Sequence, residues 1–331
     1  MSVYEILKEY QIQPRYLEKI GKVYKVFSGN NVFALKETDV NKGKNLFSTF
    51  PFLYHKGFYR FVPFYPAKNG QYMISRDQKL YYLMPWLGSG ERPVEANHAE
   101  KMIRELARLH LLTSQEMEMD PTYIEEHFER TSGQWNKEMK YLDSWIEQCE
   151  QKWYMSPFEW EFVQYYHEFR KAYEYALRTL NIWKDTILES KKIRTVLLHG
   201  KVSLDHFVFD DKGFGYFINF DESRIGSAYQ DFLPFLSNTL NTYPTNGEDC
   251  IEWLKIYMKY YPLKETELLL MKSYFAHPGF MIRLLNRYQT RAAPNHEWKY
   301  TKKIQQAYWK LKNIENVVMR LEMGDQVQTE S

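Results

Sequence analysis

Between residues 20 and 90 apolar and polar positions alternate in short runs broken by turn residues. Ile20-Gly21-Lys22-Val23-Tyr24-Lys25-Val26-Phe27 has the period-two texture of a strand. Ser28-Gly29-Asn30-Asn31 interrupts it, and Val32-Phe33-Ala34-Leu35-Lys36 resumes. Two β-rich runs with such a break between them predict a hairpin. Gly70 to Ile74 and Lys79 to Met84 predict a second pair, closed by Pro85 and Gly88-Ser89-Gly90. From Pro93 the period changes: Ala99, Ile103, Leu106, Ala107 and His110 fall on one helical face. Residues 122–190 carry long helical patterns rich in Trp, Tyr and Glu. Val196 to Phe220 reads as strand, loop and short hairpin with its turn at Asp210-Asp211-Lys212-Gly213, and 228–322 is helical again. The expected fold class is α+β: a β-rich lobe over 1–84, a hinge at 85–92, a helical lobe over 93–323 and a polar tail at 324–331, with a cleft between the lobes.

Charge narrows the function classes. The 331 residues carry 44 Lys+Arg against 42 Asp+Glu, a formal net of +2, with no basic stripe of the kind nucleic-acid binders present. No apolar run approaches the ~18–20 residues of a membrane helix, and the acidic N-terminal stretch does not read as a signal peptide. No nucleic-acid partner and no transmembrane segment are expected, and synthesis is expected in a cytoplasm. Aromatics make up 17% of the chain, including 27 Tyr, enough for a bulky core with some left for surface contact. Cys149 and Cys250 are isolated and read as buried, inert thiols.

The stretch richest in chemistry is His199-Gly200-Lys201-Val202-Ser203-Leu204-Asp205-His206-Phe207-Val208-Phe209, followed by Phe217-Ile218-Asn219-Phe220-Asp221. Its layout resembles the catalytic loop and metal-binding strand of the protein-kinase-like fold, in its aminoglycoside/choline-kinase branch. Val32 to Lys36 resembles the strand whose lysine meets ATP phosphates. Leu106-Ala107-Arg108-Leu109-His110 resembles that branch's Leu-Ala-x-Leu-His helix, and Gln230-Asp231-Phe232 its loop-anchoring aspartate. The resemblance implies a kinase-like two-lobe fold over roughly residues 15–320.

It also implies where the chemistry departs. The branch places an aspartate at the third position of His-Gly-Asp to accept the substrate proton; here that position is Lys201, a group ordinarily protonated at pH 7. His206 stands where a metal-binding asparagine belongs, and Asn219 where a metal-binding aspartate belongs, a poorer ligand for a hard cation than a carboxylate. After Asp39 no acidic residue occurs until Asp77, so no helix glutamate is available to Lys36, which reads as a strand lysine reaching solvent. His199, Gly200, Asp221 and Asp231 match the architecture of the loop. The expectation is a non-catalytic, pseudokinase-like chain with no cofactor and weak or absent nucleotide binding. The alternative is an atypical small-molecule phosphotransferase using Asp205 and Asp221, the latter two positions beyond Asn219 on one face of an extended strand.

Other candidates have plain readings: His110 as a core histidine, Glu125-Glu126-His127 and Lys302-Lys303 as solvated helix turns, and Tyr165-Tyr166-His167 and Tyr260-Tyr261 as packing aromatics. Within the kinase-like group, the Tyr-rich helical character, Tyr81-Tyr82-Leu83-Met84-Pro85-Trp86 and Tyr274-Phe275-Ala276-His277-Pro278 resemble bacterial spore-coat proteins related to CotS. That resemblance implies a structural, tyrosine-rich component of the endospore coat, made in the mother cell, with other coat proteins as partners.

Overall fold

The computed structural model describes residues 3–88, 97–241, 247–291 and 296–329. Part of the expected hinge, 89–92, and the expected helix start at Pro93 lie outside the described residues. Two compact units are present: residues 1–114 with 196–231, and 115–195 with 232–331.

The first unit is built on an antiparallel sheet of β1 (Tyr16–Ile20), β2 (Val23–Ser28), β3 (Asn31–Asp39), β4 (Met73–Arg76) and β5 (Lys79–Pro85), in the order β1-β2-β3-β5-β4. The run from Ile20 to Phe27, read as one strand from its alternation, is in fact a turn followed by a strand: Ile20 pairs with Val23 across Gly21, whose φ of +62° a side chain would strain. Val26, Leu35, Ile74, Tyr81 and Leu83 form the core of the sheet's packed face, and α1 (Val3–Glu9) closes it with Ile6 and Leu7. The Tyr10 hydroxyl donates to Tyr81 O at 2.9 Å, so this buried phenol is satisfied.

The sequence reading of 20–90 as strands and turns missed a helix, α2 (Val40–His55). It has no acidic residue in its first turn and carries Pro51 inside, so its local signals are weak. Packing supplies what propensity lacks: Leu46 and Leu53 are fully buried, and the Phe50 ring meets Phe61, Phe64 and Phe220 at 4.8, 4.4 and 5.9 Å. The predicted amphipathic helix is α3 (His98–Thr113), burying Met102, Ile103, Leu106, Ala107, Leu109 and His110. β6 (Gln115–Glu118) follows it, and the long helices are α4 (Pro121–Glu150) and α5 (Pro157–Ser190).

β7 (Lys192–Leu198) then leads into the loop of interest. Leu197 N donates to the buried Thr113 Oγ1 at 3.0 Å, fixing where β7 ends against α3. A 3₁₀ turn over Leu204–His206 precedes the hairpin of β8 (Phe207–Phe209) and β9 (Gly215–Phe217). Its turn is locked by Asp210 Oδ1, which accepts from Lys212 N at 3.0 Å and Phe214 N at 2.8 Å. A second 3₁₀ turn, Phe220–Glu222, is followed by β10 (Arg224–Gly226), which pairs antiparallel with the end of β7.

The second unit is mostly helical. Its centre is α5, whose face of Phe158, Phe162, Phe169, Tyr173, Ala176, Leu180 and Ile187 is buried. Ser156 starts that helix with a capping box closed by Glu159. α6 (Tyr229–Thr239), α7 (Glu248–Tyr260), α8 (Glu265–Ala276), α9 (Gly279–Arg291) and α10 (Glu297–Thr329) complete the chain. α10 runs on through 324–329, the stretch expected as a polar tail; 330–331 lie outside the described residues. Among the described residues no helix is long and apolar enough to cross a membrane.

Candidate active site

Lys36 lies on β3 directly opposite Tyr82 on β5. Both side chains converge on Asp221, which the first turn of the 220–222 segment carries inward. Lys36 Nζ ion-pairs with Asp221 Oδ2 and donates to Asn219 Oδ1 at 2.6 Å. The Tyr82 hydroxyl lies 3.3 Å from Asp221 Oδ2, and the Lys36 ammonium sits 5.6 Å from the centre of the Tyr82 ring. Lys36, Tyr82 and Asp221 are all buried.

Two expectations are corrected here. Lys36 does not extend to solvent: no glutamate stands on the helix after its strand, as expected, but a carboxylate reaches it from Asp221, 185 residues away. Nor do Asn219 and Asp221 share the face of an extended strand. Asn219 is in the left-handed region at φ 69°, which asparagine tolerates better than most residues, and Asp221 follows in a 3₁₀ turn. The tight turn brings both oxygens onto one ammonium.

The electrostatics follow from burial. Burial pushes the Asp221 carboxyl up, but the Lys36 ammonium and a Thr38 hydrogen bond outweigh it and hold the group below its usual range. Burial lowers the Lys36 amine, with Asp221 opposing. Lys201 is exposed, yet its charge is felt at both Lys36 and His206.

Loop shape rests on Asp231. Its carboxylate accepts from His199 N at 2.6 Å and Gly200 N at 2.7 Å, and lies 3.2 Å from His110 Nε2. The core histidine read from the helix pattern is therefore buried against a carboxylate. Gly200 has φ +84°, and a Cβ there would meet Glu222 O at 2.2 Å, so no other residue fits. His199 is buried, its Nε2–H donating to Ile218 O at 2.8 Å while Nδ1 accepts from Lys201 N at 3.2 Å. Burial holds it below its ordinary value, in this neutral tautomer. His206 Nδ1–H donates to Lys201 O at 2.7 Å, and burial lowers its pKa too. Asp205 is exposed in the 204–206 turn, one residue from His206.

The cluster thus gathers Lys36, Asn219 and Asp221 by direct contact, with His199, Lys201 and His206 linked through the loop backbone. A family model, the phosphotransferase enzyme family, matches residues 64–265. The chain belongs to that family. An aminoglycoside phosphotransferase from Alicyclobacillus acidocaldarius is similar in structure, with a TM-score of 0.74 at 12% identity over 96% of this chain and 94% of that one. A spectinomycin phosphotransferase solved with ADP and spectinomycin gives a TM-score of 0.55 at 13% identity, over 93% of this chain and 97% of that one. These likenesses establish the kinase-like phosphotransferase fold, an antiparallel sheet followed by a mostly helical region. No curated protein matches the sequence.

Membership of a family of phosphotransferase enzymes overturns the expectation that this chain is not an enzyme. That expectation weighed three substituted side chains and the missing helix glutamate; in this structure Asp221 supplies the carboxylate that pairs with Lys36. The donor set nevertheless does not fit a divalent cation as arranged. Magnesium asks for one or two protein carboxylates beside phosphate oxygens. Here the buried carboxylate is on Lys36, Asn219 Oδ1 is on the same ammonium, and no described group of three His, Cys, Asp or Glu has the spacing to hold a metal. The cation this loop leaves exposed is Lys201, while Lys36 is buried against Asp221 and Asn219.

Proposed function

We propose that this chain is a small-molecule phosphotransferase of atypical site chemistry, moving a phosphoryl group from a nucleoside triphosphate to an acceptor hydroxyl. The observation that carries the reading is the buried Lys36–Asp221 pair, which joins the sheet to the loop after β9. Lys36 is the phosphate ligand, Asp221 the counter-ion that orients it, and Lys201 a second cation toward the transferred group. Asp205 is the carboxylate that takes the acceptor's proton. Phosphoryl transfer passes through a loose transition state with charge spread over the phosphoryl oxygens, so positioning and positive charge matter more than a strong base.

The test is acceptor-dependent release of nucleoside diphosphate by the purified protein. Spectinomycin and aminoglycosides head the acceptor panel, because the similar solved structures are phosphotransferases of those compounds. Turnover should fall at least ~100-fold in Lys36→Ala and remain in Lys212→Ala, a turn lysine outside the cluster. No turnover with any acceptor, together with no ATP-induced shift in thermal stability, would sink the reading. The endospore coat as the place of action, with coat proteins as partners, is a proposal resting on the sequence resemblance. A fluorescent fusion that stays dispersed in the mother-cell cytoplasm through sporulation would remove it.

A further inference from the structure

The side chains standing where the kinase-like branch places its cation ligands are either already engaged or of another chemical kind. Asp221 is ion-paired with Lys36, and Asn219 Oδ1 accepts from the same ammonium at 2.6 Å. Lys36 and Asp221 are both buried, so a divalent cation taking the carboxylate would leave a buried ammonium without its counter-charge. His206 offers an imidazole in place of an amide oxygen. Its Nδ1–H donates to Lys201 O at 2.7 Å, and the other nitrogen suits zinc or copper better than magnesium. Asp205 is exposed in its turn, and among the described residues no group of three His, Cys, Asp or Glu could hold a metal.

The same loop brings positive charge of its own. Lys201 stands in place of one aspartate of the pattern and Asn219 in place of another, which moves the local charge three units toward positive with His206 neutral. Lys201 is exposed, and its ammonium has no hydrogen bond or ion pair among the described residues. Its backbone, by contrast, is held from both sides: its N–H donates to His199 Nδ1 at 3.2 Å, and its carbonyl accepts from His206. A free ammonium on a fixed backbone is a cation set in place before any ligand arrives, and an ammonium binds phosphate as a point charge.

We propose that this site takes its nucleotide as the free polyanion, with the Lys201 ammonium in the place of a divalent cation, so that magnesium does not tighten binding. On the phosphotransferase reading, which this assignment rests on, the phosphoryl donor is the uncomplexed nucleoside triphosphate. Magnesium in solution works against such binding, because it takes up phosphate charge that would otherwise meet Lys201.

The experiment is calorimetry of the full chain with ATP, once in EDTA and once in excess magnesium chloride. ATP should bind in EDTA, and magnesium should leave the affinity unchanged or lower it. Lys201→Ala, at an exposed side chain, should weaken binding in EDTA about tenfold with the melting temperature unchanged. Lys212→Ala, at the exposed hairpin turn, should keep the affinity of the unaltered chain. If Lys201→Ala does not fold, Lys201→Gln takes its place with the same expected loss. ATP binding that needs magnesium or tightens with it, or undiminished binding in EDTA by the Lys201 variant, would overturn this assignment and leave the phosphotransferase reading standing. ATP binding in neither buffer would overturn both.

Discussion

Around Lys36 every buried polar group has an internal partner: the ammonium has Asp221 and Asn219, Asp231 has His110 and two backbone N–H groups, and His199 is bonded at both nitrogens. Around Trp145 the reverse holds, with a buried N–H that finds no partner among the described residues. A site satisfied from within is rigid before its ligand arrives, and ligand must compete with bonds already made. A buried donor left unserved carries a standing cost instead, which removal of the donor relieves. The two regions should therefore respond oppositely to removal of their polar groups.

The largest response belongs to Asp231. Asp231→Ala strips partners from His199 N, Gly200 N and His110 at once, all buried or nearly so. The expected loss is about 4 kcal/mol in urea unfolding. A loss below ~1 kcal/mol would mean that water reaches this loop and that its order does not depend on the carboxylate.

Lys36→Met comes next. It leaves the Asp221 carboxylate buried without its cation, which costs about 3 kcal/mol. Asp221 should then titrate higher, because burial is no longer opposed by Lys36. Lys36→Met with Asp221→Leu should recover most of the stability, since replacing both members of a buried pair is often near neutral. Recovery of stability without recovery of turnover would separate the pair's role in function from its role in folding. If the double variant is as unstable as the single, the pair is contributing packing rather than charge.

Much of this cluster was legible in the chain because its signals are local. Val32 to Lys36 is an apolar, β-rich run after turn residues, Asp210-Asp211-Lys212-Gly213 dictates its hairpin, and His199-Gly200 and Asp231 stand in a recognisable order. What the chain hid was long-range. The carboxylate for Lys36 was sought on the segment after Asp39 and came from Asp221. α2 went unread because Pro51 and a missing acidic first turn argue against a helix until Leu46, Phe50 and Leu53 find their neighbours. Nothing in the sequence marks Trp145: an indole on a helical face looks like any core residue, and only the surrounding packing leaves its N–H alone.

Acid should loosen the satisfied region in two stages. Burial holds His199 and His206 below their ordinary value of 6.5. Below that pH the unfolded chain takes up protons that the native state refuses, so stability falls as pH drops through and below 6.5. Asp221 and Asp231 are held below the ordinary 3.8, so their contribution is intact above that value and is lost as pH falls further, toward their native values. Melting temperatures recorded from pH 8 to pH 3 should decline from near pH 6.5 and more steeply at the acid end. His206→Gln should shrink the first decline only, and an unchanged first decline would assign it to other histidines.

The smallest expected effect is also the sharpest contrast with Lys36. Tyr173 and Trp145 are both buried aromatics of the helical unit, but the Tyr173 hydroxyl donates to Glu138 at 2.9 Å while the Trp145 N–H has no acceptor among the described residues. Tyr173→Phe removes a hydrogen bond to a charged group and leaves Glu138 one donor short, so it should cost about 1.5–3 kcal/mol. Trp145→Phe gives up ring volume, which destabilises, and abolishes the cost of an unserved donor, which stabilises. The two terms are of similar size, so its net effect should lie within about 1 kcal/mol of zero. Chemical denaturation of both variants makes the comparison. If Trp145→Phe loses as much as Tyr173→Phe, the lost ring packing outweighs the unserved donor, and the indole N–H is not a cost the fold carries.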